Sequence, residues 1–356
     1  MARNRAVAIL PQMPITKAGS GKYFPIIYGD LLAQILGGNF HLCINELDSF
    51  SNRAPAVEPF INRIDKLGIQ YADLWIDSDN VESLLGNVER LVEMGYISEL
   101  ETSYYRCKCG RVEIEESKIL TCNPNKTDFV FKDGRIYSKC CGSICDRYEE
   151  KVLIFTPPKS VSCSDMFFLP RYLNSDSKTF ERIILNSYVT ISKKRNTGIV
   201  LNYNGTYYNL DIDFLWATYM ANFDEKQKVV IAGNKLVYQL FLVGLLNKIL
   251  KPEDETILLG TPIILNADSY LNETIDPEVL KLAVAFNTRP KYKETPFDPR
   301  VLEKLNSLDK GRVASMTEFV TTSTFEGYDL VAEIECALRQ NFSMQRALRK
   351  LKEGAK

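Results

Sequence analysis

The sequence predicts an α/β protein with a doubly wound parallel sheet of the Rossmann type, which is split by a cysteine-rich insertion and followed by a small helical C-terminal region. Three observations support this fold. Strand-like and helix-like segments alternate over residues 1–100 and again after residue 180. Six of the nine cysteines lie between residues 107 and 145, in a polar, β-like stretch that interrupts the alternation. Roughly the last 50 residues have only helical periodicity.

The first half of the sheet is predicted from residues 1–100. The apolar run "AVAIL" ends at Pro11 and is typical of a buried parallel strand. A glycine turn then leads into a helix, which we expect to end at Gly37. The remaining predicted elements of this half are a strand over residues 39–47 and helices over residues 56–69 and 80–96.

The second half of the sheet resumes after the cysteine-rich stretch. Asp276 and Pro277 occupy the N-cap and first position of a helix, where both residue types are preferred. The predicted strands are residues 188–194, 198–203, 228–233 and 256–265, and the predicted helices are residues 214–223, 236–250 and 276–286. We therefore divide the chain into a first half of the Rossmann-like domain at 1–103, the insertion at 104–150, a second half at 151–300 and a helical C-terminal region at 301–356.

Composition excludes several classes of protein. A hydrophobic content of 45% and a charged content of 25% are ordinary for a globular protein. The 44 basic and 45 acidic residues nearly cancel, so any nucleic-acid contact must be a local patch. The longest apolar run, "LVYQLFLVGLL", is too short to span a bilayer, and we expect a cytoplasmic protein without a membrane partner. The only histidine, His41, argues against catalysis that depends on histidine.

A glycine-rich turn between the first strand and the first helix is the first candidate site. It contains Gly19, Ser20, Gly21 and Lys22. It is not a Walker A loop, because Thr16 stands where that motif has glycine. Glycine-rich turns at helix N-termini commonly bind anions, and Lys22 would add a point charge for a phosphate or carboxylate. The alternative is a simple turn with a solvated lysine.

The order of these segments resembles the catalytic domain of class I aminoacyl-tRNA synthetases, most closely the glutamyl and glutaminyl branch, over roughly residues 6–300. "MPITKAGSGK" stands in place of the family's first motif, and "LLAQILGGNFHLCINELD" matches the helix and strand that follow it. "YYRCKCGRVEI" resembles the zinc-bearing segment of the family. The resemblance implies a Rossmann-like catalytic domain that binds ATP, an amino acid and the acceptor end of tRNA.

Both ATP signatures of that family are altered here. Residues 19–22 fall on the HIGH tetrapeptide, of which only Gly21 is retained. Residues 270–274 fall on the KMSKS motif, where Glu273 replaces the lysine that neutralises pyrophosphate. A carboxylate there would repel a triphosphate by about 1–4 kcal/mol, unless the segment is only a polar turn. Ordinary adenylation is therefore not expected. Only about 45 residues follow residue 310, too few for the family's anticodon-binding domain.

The substrate side of the family's site also differs. The arginine that reads glutamate falls on Cys43, while Asp48 is retained and could orient an amino group. Cys43 is either a reactive thiol or a buried small side chain. If the strands "AVAIL" and "KVVIAG" are neighbours, Lys22 and Lys235 would face one cavity. The predicted site comprises the catalytic residues Lys22 and Asp48, the anion-binding residues Gly19, Ser20, Gly21, Lys22, Gly233, Asn234 and Lys235, and the pocket residues Cys43, Asn45 and Trp216.

The cysteine-rich insertion predicts a structural zinc site. "CKCG" and "CCGSIC" each contain a Cys-Gly step of the zinc-knuckle kind. The predicted ligands are Cys107, Cys109, Cys141 and Cys145, and either Cys140 or Cys122 could replace one of them. Four thiolates suit zinc and close its coordination shell, so the metal would not be catalytic. The alternative is a set of free, buried cysteines.

Together these features predict a synthetase-like enzyme, a ligase or transferase, that uses or transfers an activated aminoacyl group instead of charging tRNA in the standard way. One alternative is an unusual ATP-dependent aminoacyl-tRNA ligase, and another is a non-catalytic protein that binds RNA or a partner. The expected cofactors are structural zinc and, where a nucleotide is used, ATP or AMP with magnesium. The expected partners are an amino acid or its derivative and the acceptor end of tRNA. The basic C-terminal segment, residues 335–356, is either an RNA contact or a solvated helix face.

Overall fold

The computed structural model describes residues 4–14, 23–47, 54–109, 113–116, 128–162, 166–170, 173, 178–179, 187–192, 199–233, 236–267, 275–288, 294–322 and 329–354. The strands are β1 (Arg5–Ile9), β2 (Asn39–Ile44), β3 (Asp73–Ile76), β4 (Ile97–Arg106), β5 (Glu113–Glu115), β6 (Phe129–Lys132), β7 (Arg135–Ser138), β8 (Asp146–Phe155), β9 (Phe167–Leu169), β10 (Val189–Thr190), β11 (Val200–Tyr203), β12 (Thr206–Asn209), β13 (Gln227–Gly233), β14 (Glu255–Thr261), β15 (Ile263–Leu265) and β16 (Glu294–Pro296). The α-helices are α1 (Phe24–Leu36), α2 (Ala54–Lys66), α3 (Val81–Glu93), α4 (Ile212–Ala217), α5 (Val237–Leu250), α6 (Pro277–Asn287), α7 (Pro299–Asn306), α8 (Lys310–Thr321), α9 (Leu330–Gln340) and α10 (Met344–Gly354).

The core of the protein is a six-stranded parallel sheet with the order β3-β2-β1-β13-β14-β9. The chain runs outward from β1 through β2 to β3, and later returns to place β13 and β14 on the other side of β1. The strand order therefore reverses between β1 and β13, which is the switch point of a doubly wound sheet. This confirms the predicted fold class and the predicted neighbourhood of "AVAIL" and "KVVIAG".

Helices cover both faces of this sheet, as continuous apolar strands require. The strand β1 is buried along its whole length. The helix α1 contacts β1, β2 and β13 and packs with α6, α8 and α9, whereas α5 packs on β13 and β14 together with α3 and α4. At Gly29 in α1, an added Cβ would lie 2.5 Å from the ring of Phe40. Glycine at this position lets α1 approach β2 closely, and this contact determines the packing distance between the helix and the sheet.

The cysteine-rich module is carried by a second sheet with the order β10-β8-β4-β5. The strands β4 and β8 pair along ten residues, from Ile97 with Phe155 to Arg106 with Asp146. At one end of this antiparallel ladder, Ile97 and Phe155 belong to the main core. At the other end, Arg106 directly precedes Cys107. A hairpin of β6 and β7 closes the far end of the module around a small apolar cluster.

The C-terminal helices are fastened to the core sheet by buried polar contacts. Arg5 of β1 forms an ion pair with Glu333 of α9, and both side chains are almost completely buried. The same guanidinium donates to the carbonyl of Leu36 at the end of α1. The Asn341 amide, between α9 and α10, donates to three backbone carbonyls near the end of α8. The helical C-terminal region therefore packs as part of the main body.

Most predicted elements have the expected place, with a few differences. The N-cap of α6 is confirmed, since Asp276 accepts from the backbone N–H of Glu278 and Val279. The predicted helix over 214–223 is α4 followed by a 3-10 helix at Tyr219–Asn222, and the predicted strand over 256–265 is two strands, β14 and β15. The short strands β3 and β9 were not predicted. None of the described helices is long and apolar enough to cross a membrane.

Candidate functional site

The carboxyl ends of β1 and β13 form the central part of the candidate site. The two strands pair in parallel from Arg5 with Gln227 to Ile9 with Ile231, and β13 ends at Gly233. The backbone N–H of Leu10 continues the pairing by donating to the carbonyl of Ile231 at 2.8 Å. The residues expected to bind the anion are Gly19, Ser20, Gly21, Lys22, Asn234 and Lys235, and these lie outside the described residues, as do Asp48 and residues 270–274. Their roles stay predictions.

Asn45 lies where the extensions of β1 and β2 meet. Its backbone N–H donates to the carbonyl of Gln12 at 2.9 Å, and the N–H of Gln12 donates to the carbonyl of Cys43 at 2.8 Å. The side-chain oxygen of Asn45 is buried and accepts no hydrogen bond from any residue that the structure describes. A buried acceptor without a donor is energetically unfavourable and is uncommon in folded proteins. Asn45 therefore offers a hydrogen-bond acceptor at the carboxyl edge of the sheet.

Asp77, which directly follows β3, is the most perturbed carboxyl group at this edge. Its side chain is fully buried and accepts from the backbone N–H of Glu46 at 2.9 Å and of Leu47 at 3.4 Å. Burial raises the pKa of Asp77 from 3.8 to about 6, although these two N–H groups oppose the shift. Asp77 was not among the residues predicted from the sequence. Its position just after a strand of a parallel sheet was the available signal, but the strand β3 itself was not predicted.

Cys43 and His41 have structural surroundings. Cys43 is fully buried in β2, and burial raises the pKa of its thiol well above the ordinary value. This favours the alternative of a small apolar side chain in the core over a reactive thiol. His41 is buried, stacks on Phe223 at a centroid distance of 4.3 Å and lies 3.1 Å from a carboxylate oxygen of Glu225. Its contacts place it at the amino half of β2, away from the carboxyl edge.

Trp216, the third predicted pocket residue, is buried in α4. Its indole N–H donates to the Asp213 carboxylate at 3.2 Å, one turn earlier in the helix. A different tryptophan, Trp75 of β3, pairs in register with Cys43 and packs against Tyr219 at 5.5 Å. Its indole N–H is buried and has no acceptor among the described residues. The indole N–H of Trp216 is thus hydrogen-bonded, whereas that of Trp75 has no acceptor within the part of the chain that the structure describes.

Four cysteines of the insertion come together in one cluster. Cys107 and Cys109 follow β4, and Cys140 and Cys141 lie in the turn after β7. All four sulfur atoms lie within 4.8 Å of one another. The Sγ–Sγ distances are 3.0 Å between Cys107 and Cys109, 3.1 Å between Cys109 and Cys140, 3.6 Å between Cys109 and Cys141, and 3.9 Å between Cys107 and Cys140. The cluster contains three predicted ligands, and Cys140, the substitute that the sequence allowed, is the fourth.

Cys145 lies beside this cluster, in a different environment. It is buried with Cys107 in the small apolar core of the module. Burial, together with the neighbouring thiols, raises the pKa of Cys145 to about 11. Hydrogen bonds from Ser143 and Ser138 instead lower the pKa of the exposed Cys141 to about 6. The thiolate form that binds metal is thus favoured at Cys141 and disfavoured at Cys145.

The donor set fits a tetrahedral zinc ion. A Zn–S bond of about 2.3 Å gives an edge of about 3.8 Å between sulfur atoms in a regular tetrahedron. Four of the six Sγ–Sγ separations are 3.0–3.9 Å and all six are within 4.8 Å, so side-chain adjustments would complete the geometry. Soft thiolates select zinc over magnesium or calcium. Cys107, Cys109, Cys140 and Cys141 are therefore the residues that could hold a metal ion.

No protein-family model matches the chain, and no curated protein matches its sequence.

Comparison of the fold gives clear similarity to methionyl-tRNA synthetase from Mycobacterium tuberculosis. The structure of that enzyme in complex with methionyl-adenylate aligns with a TM-score of 0.65 at 11% sequence identity, covering 98% of this chain and 81% of the enzyme. A second structure with methionyl-adenylate gives a TM-score of 0.63 at 12% identity, covering 89% of this chain and 71% of the other. The free enzyme gives a TM-score of 0.62 at 12% identity, covering 97% and 78%.

The fold of this chain is therefore similar to that of these synthetase structures. The three structures are of a methionyl enzyme, so the expected closeness to the glutamyl and glutaminyl branch is not confirmed. At this level of identity, the similarity shows the fold alone.

Proposed function

We propose that this protein binds an activated aminoacyl group, as an aminoacyl-adenylate or an aminoacyl-tRNA end, at the carboxyl edge of the sheet between β1 and β13, and uses or transfers that group. The observation that carries the proposal is the reversal of strand order at β1 and β13 within a sheet of the synthetase fold. In open α/β sheets, ligands bind in the crevice outside the carboxyl ends of strands at this point.

The polar groups at this edge suit the two ends of such a ligand. The Asn45 oxygen lacks a donor among the described residues, and an aminoacyl ammonium group would supply one. The buried Asp77 carboxylate lies in the adjacent connection and adds negative potential. On the other side, the expected contributions of Lys22 and Lys235 would bind the phosphate of an AMP moiety. The amino end and the phosphate end of an aminoacyl-adenylate would thus have separate partners.

In the same proposal the cysteine cluster holds a structural zinc ion. Cys107, Cys109, Cys140 and Cys141 would fill all four positions of a tetrahedral ion and leave no place for substrate. The metal would connect the end of β4 to the turn after β7, and so would fix the tip of the module. Its loss should then lower the stability of the module without direct damage to the switch point.

Binding of AMP tests the proposed site. We expect AMP, and more tightly a non-hydrolysable methionyl-adenylate analogue, to bind to the wild type in a calorimetric titration. Lys22→Ala should weaken AMP binding by roughly 1.5–3 kcal/mol, the value of a charge-assisted hydrogen bond. Lys226→Ala is the matched control, because this lysine lies just before β13 at the opposite end of the strand, paired with Glu253. Equal loss in both variants, or no AMP binding to the wild type, would contradict the proposal.

A second candidate function, ATP-dependent activation of an amino acid, is favoured by the methionyl-adenylate bound in two of the similar structures. ATP–pyrophosphate exchange with each of the twenty amino acids separates the candidates. We expect little or no exchange, because Glu273 and Gly19 stand where the family has a pyrophosphate-binding lysine and a histidine. Exchange at roughly 1–10³ per second, the range of ordinary enzymes, would establish the ligase instead.

A further inference from the structure

The connections that follow β2 and β3 are joined by a reciprocal pair of side-chain contacts. Asp77 accepts from the backbone N–H groups of Glu46 and Leu47. In the opposite direction, the hydroxyl group of Ser78 donates to the carboxylate of Glu46. We call this set of contacts, made by Glu46, Leu47, Asp77 and Ser78, the edge clasp. It connects two neighbouring strands at the end where the proposed ligand binds.

The segment Asn45–Leu47 is held from both sides, but by different kinds of contact. On the side of β1, the backbone N–H of Asn45 donates to the carbonyl of Gln12. On the side of β3, the Asp77 carboxylate supplies the acceptors, and the N–H of Asp77 donates to the carbonyl of Ile44 at 3.1 Å. The β1 contact needs no particular side chain. The hydrogen bonds of the Glu46 and Leu47 N–H groups, in contrast, depend on the Asp77 side chain, so one substitution at residue 77 can remove them.

The negative charge of Asp77 does not contribute to the global stability of the folded protein. The group is fully buried, and among the described residues no lysine, arginine or histidine acts on its pKa. The titratable side chain that faces it is Glu46, whose negative charge also disfavours ionisation of Asp77. Such a carboxylate makes the folded protein less stable at neutral pH than a neutral side chain would. Buried carboxylates with this property concentrate at functional sites.

We propose that Asp77 is a positioning residue: its carboxylate, through the edge clasp, fixes the segment Asn45–Leu47 so that the side-chain oxygen of Asn45, which has no donor among the described residues, stays at the carboxyl edge of the sheet. The role of Asn45 toward a ligand rests on the proposed function, whereas the hold of Asp77 on the segment does not. Two N–H groups on one carboxylate define both the position and the orientation of the segment. Loss of the charge should release the segment while the sheet below it stays intact.

Hydrogen–deuterium exchange with residue-level resolution tests this proposal on the full chain without a ligand. In Asp77→Ala we expect the amides of Glu46 and Leu47 to exchange at least tenfold faster at pH 7.5, while the amides of Leu42 and Ile44 in β2 keep their rates. In Asp77→Asn we expect partial rescue, because one carbonyl oxygen can still accept. In the wild type, after correction for intrinsic exchange, lowering the pH from 7.5 to 5 should accelerate the same two amides severalfold, and Asp77→Asn should show no such pH effect.

The results distinguish positioning from a general structural role. Unchanged exchange at Glu46 and Leu47 in both variants, or equal acceleration throughout β2, would overturn the proposal. If Asp77→Ala does not fold, the pH profiles of the wild type and of Asp77→Asn decide the matter. A protein with the expected exchange pattern that binds no AMP would overturn the proposed function and leave the edge clasp supported. A protein that binds AMP but lacks the expected exchange pattern would support the proposed function and overturn the role of the edge clasp.

Discussion

Replacing Asp77 with asparagine should stabilise the protein at neutral pH, and the advantage should decrease as the pH falls. Asparagine has nearly the same shape, keeps one acceptor for the N–H of Glu46 and carries no charge into the buried site. The pKa of Asp77 is raised from 3.8 to about 6 in the folded protein. The native state thus binds the proton more tightly than the unfolded chain. The contribution of this group to stability is complete below pH 3.8 and is lost as the pH rises through about 6.

The size of the effect follows from these two pKa values. Their difference of about 2.2 corresponds to about 3 kcal/mol of stability, at 1.36 kcal/mol for each tenfold change in the proton equilibrium. As the pH rises, this stability is lost: about 1.6 kcal/mol has been lost at pH 5, and nearly all of it at pH 7.5. Loss of the second acceptor costs asparagine about 1 kcal/mol. The free energy of unfolding of the variant should therefore exceed that of the wild type by about 2 kcal/mol at pH 7.5. At pH 5 this advantage should be smaller by about 1.4 kcal/mol.

Urea unfolding followed by circular dichroism at pH 5.0, 6.0 and 7.5 measures the difference. The control is Asp79→Asn, two residues further on, where the carboxyl group is exposed and the substitution should change the free energy of unfolding by no more than about 0.5 kcal/mol. A difference between Asp77→Asn and the wild type that is the same at pH 5.0 and 7.5, or that shrinks as the pH rises, would refute the reasoning. Combined with faster local exchange at the edge clasp, a gain in global stability would show that the charge serves the site at the cost of stability.

The other predictions concern the cysteine cluster and the helix α1. Protein purified without added metal should contain about one zinc per chain by elemental analysis. The Cys140→Ser variant should lose this zinc, and the Cys145→Ser variant should retain it. The opposite pattern would show that Cys145 is the fourth ligand. Gly29→Ala should lower the free energy of unfolding by about 1–3 kcal/mol, because its Cβ would overlap the ring of Phe40. Gly86→Ala in α3, where an added Cβ meets no atom within 4 Å, should instead stabilise by up to about 1 kcal/mol, and a loss there equal to that of Gly29→Ala would refute the packing argument.

The sequence was informative wherever a local pattern determines the structure. The run "AVAIL" is buried at every residue and belongs to β1 except for its final leucine, because both faces of a central parallel strand are covered. The cap at Asp276 is equally local, since one side chain satisfies the N–H groups of the next turn. The neighbourhood of β1 and β13 followed from the reversal of strand order that doubly wound sheets share.

The sequence was less informative where a residue's role depends on contacts from distant segments. The strand β3 has only four residues, and its pairing with β2 alone places Asp77 under the N–H groups of Glu46 and Leu47. No spacing within a single segment encodes that contact. The choice between Cys140 and Cys145 likewise depends on how the turn after β7 folds back on the end of β4. The spacing of these cysteines in the sequence cannot show which thiols face the cluster.

The position of β1 at the centre of the sheet has a consequence for synthesis of the chain. Arg5 is separated by 222 residues in the sequence from its partner in β13, Gln227. It is separated by 328 residues from its partner in α9, Glu333. At roughly 5–20 residues per second, a ribosome needs about 11–44 seconds to produce β13 after β1 has been made. During that interval one edge of β1 is unpaired, and apolar strand edges of this kind promote aggregation. The nascent chain is therefore expected to need a chaperone until the second half of the sheet has emerged.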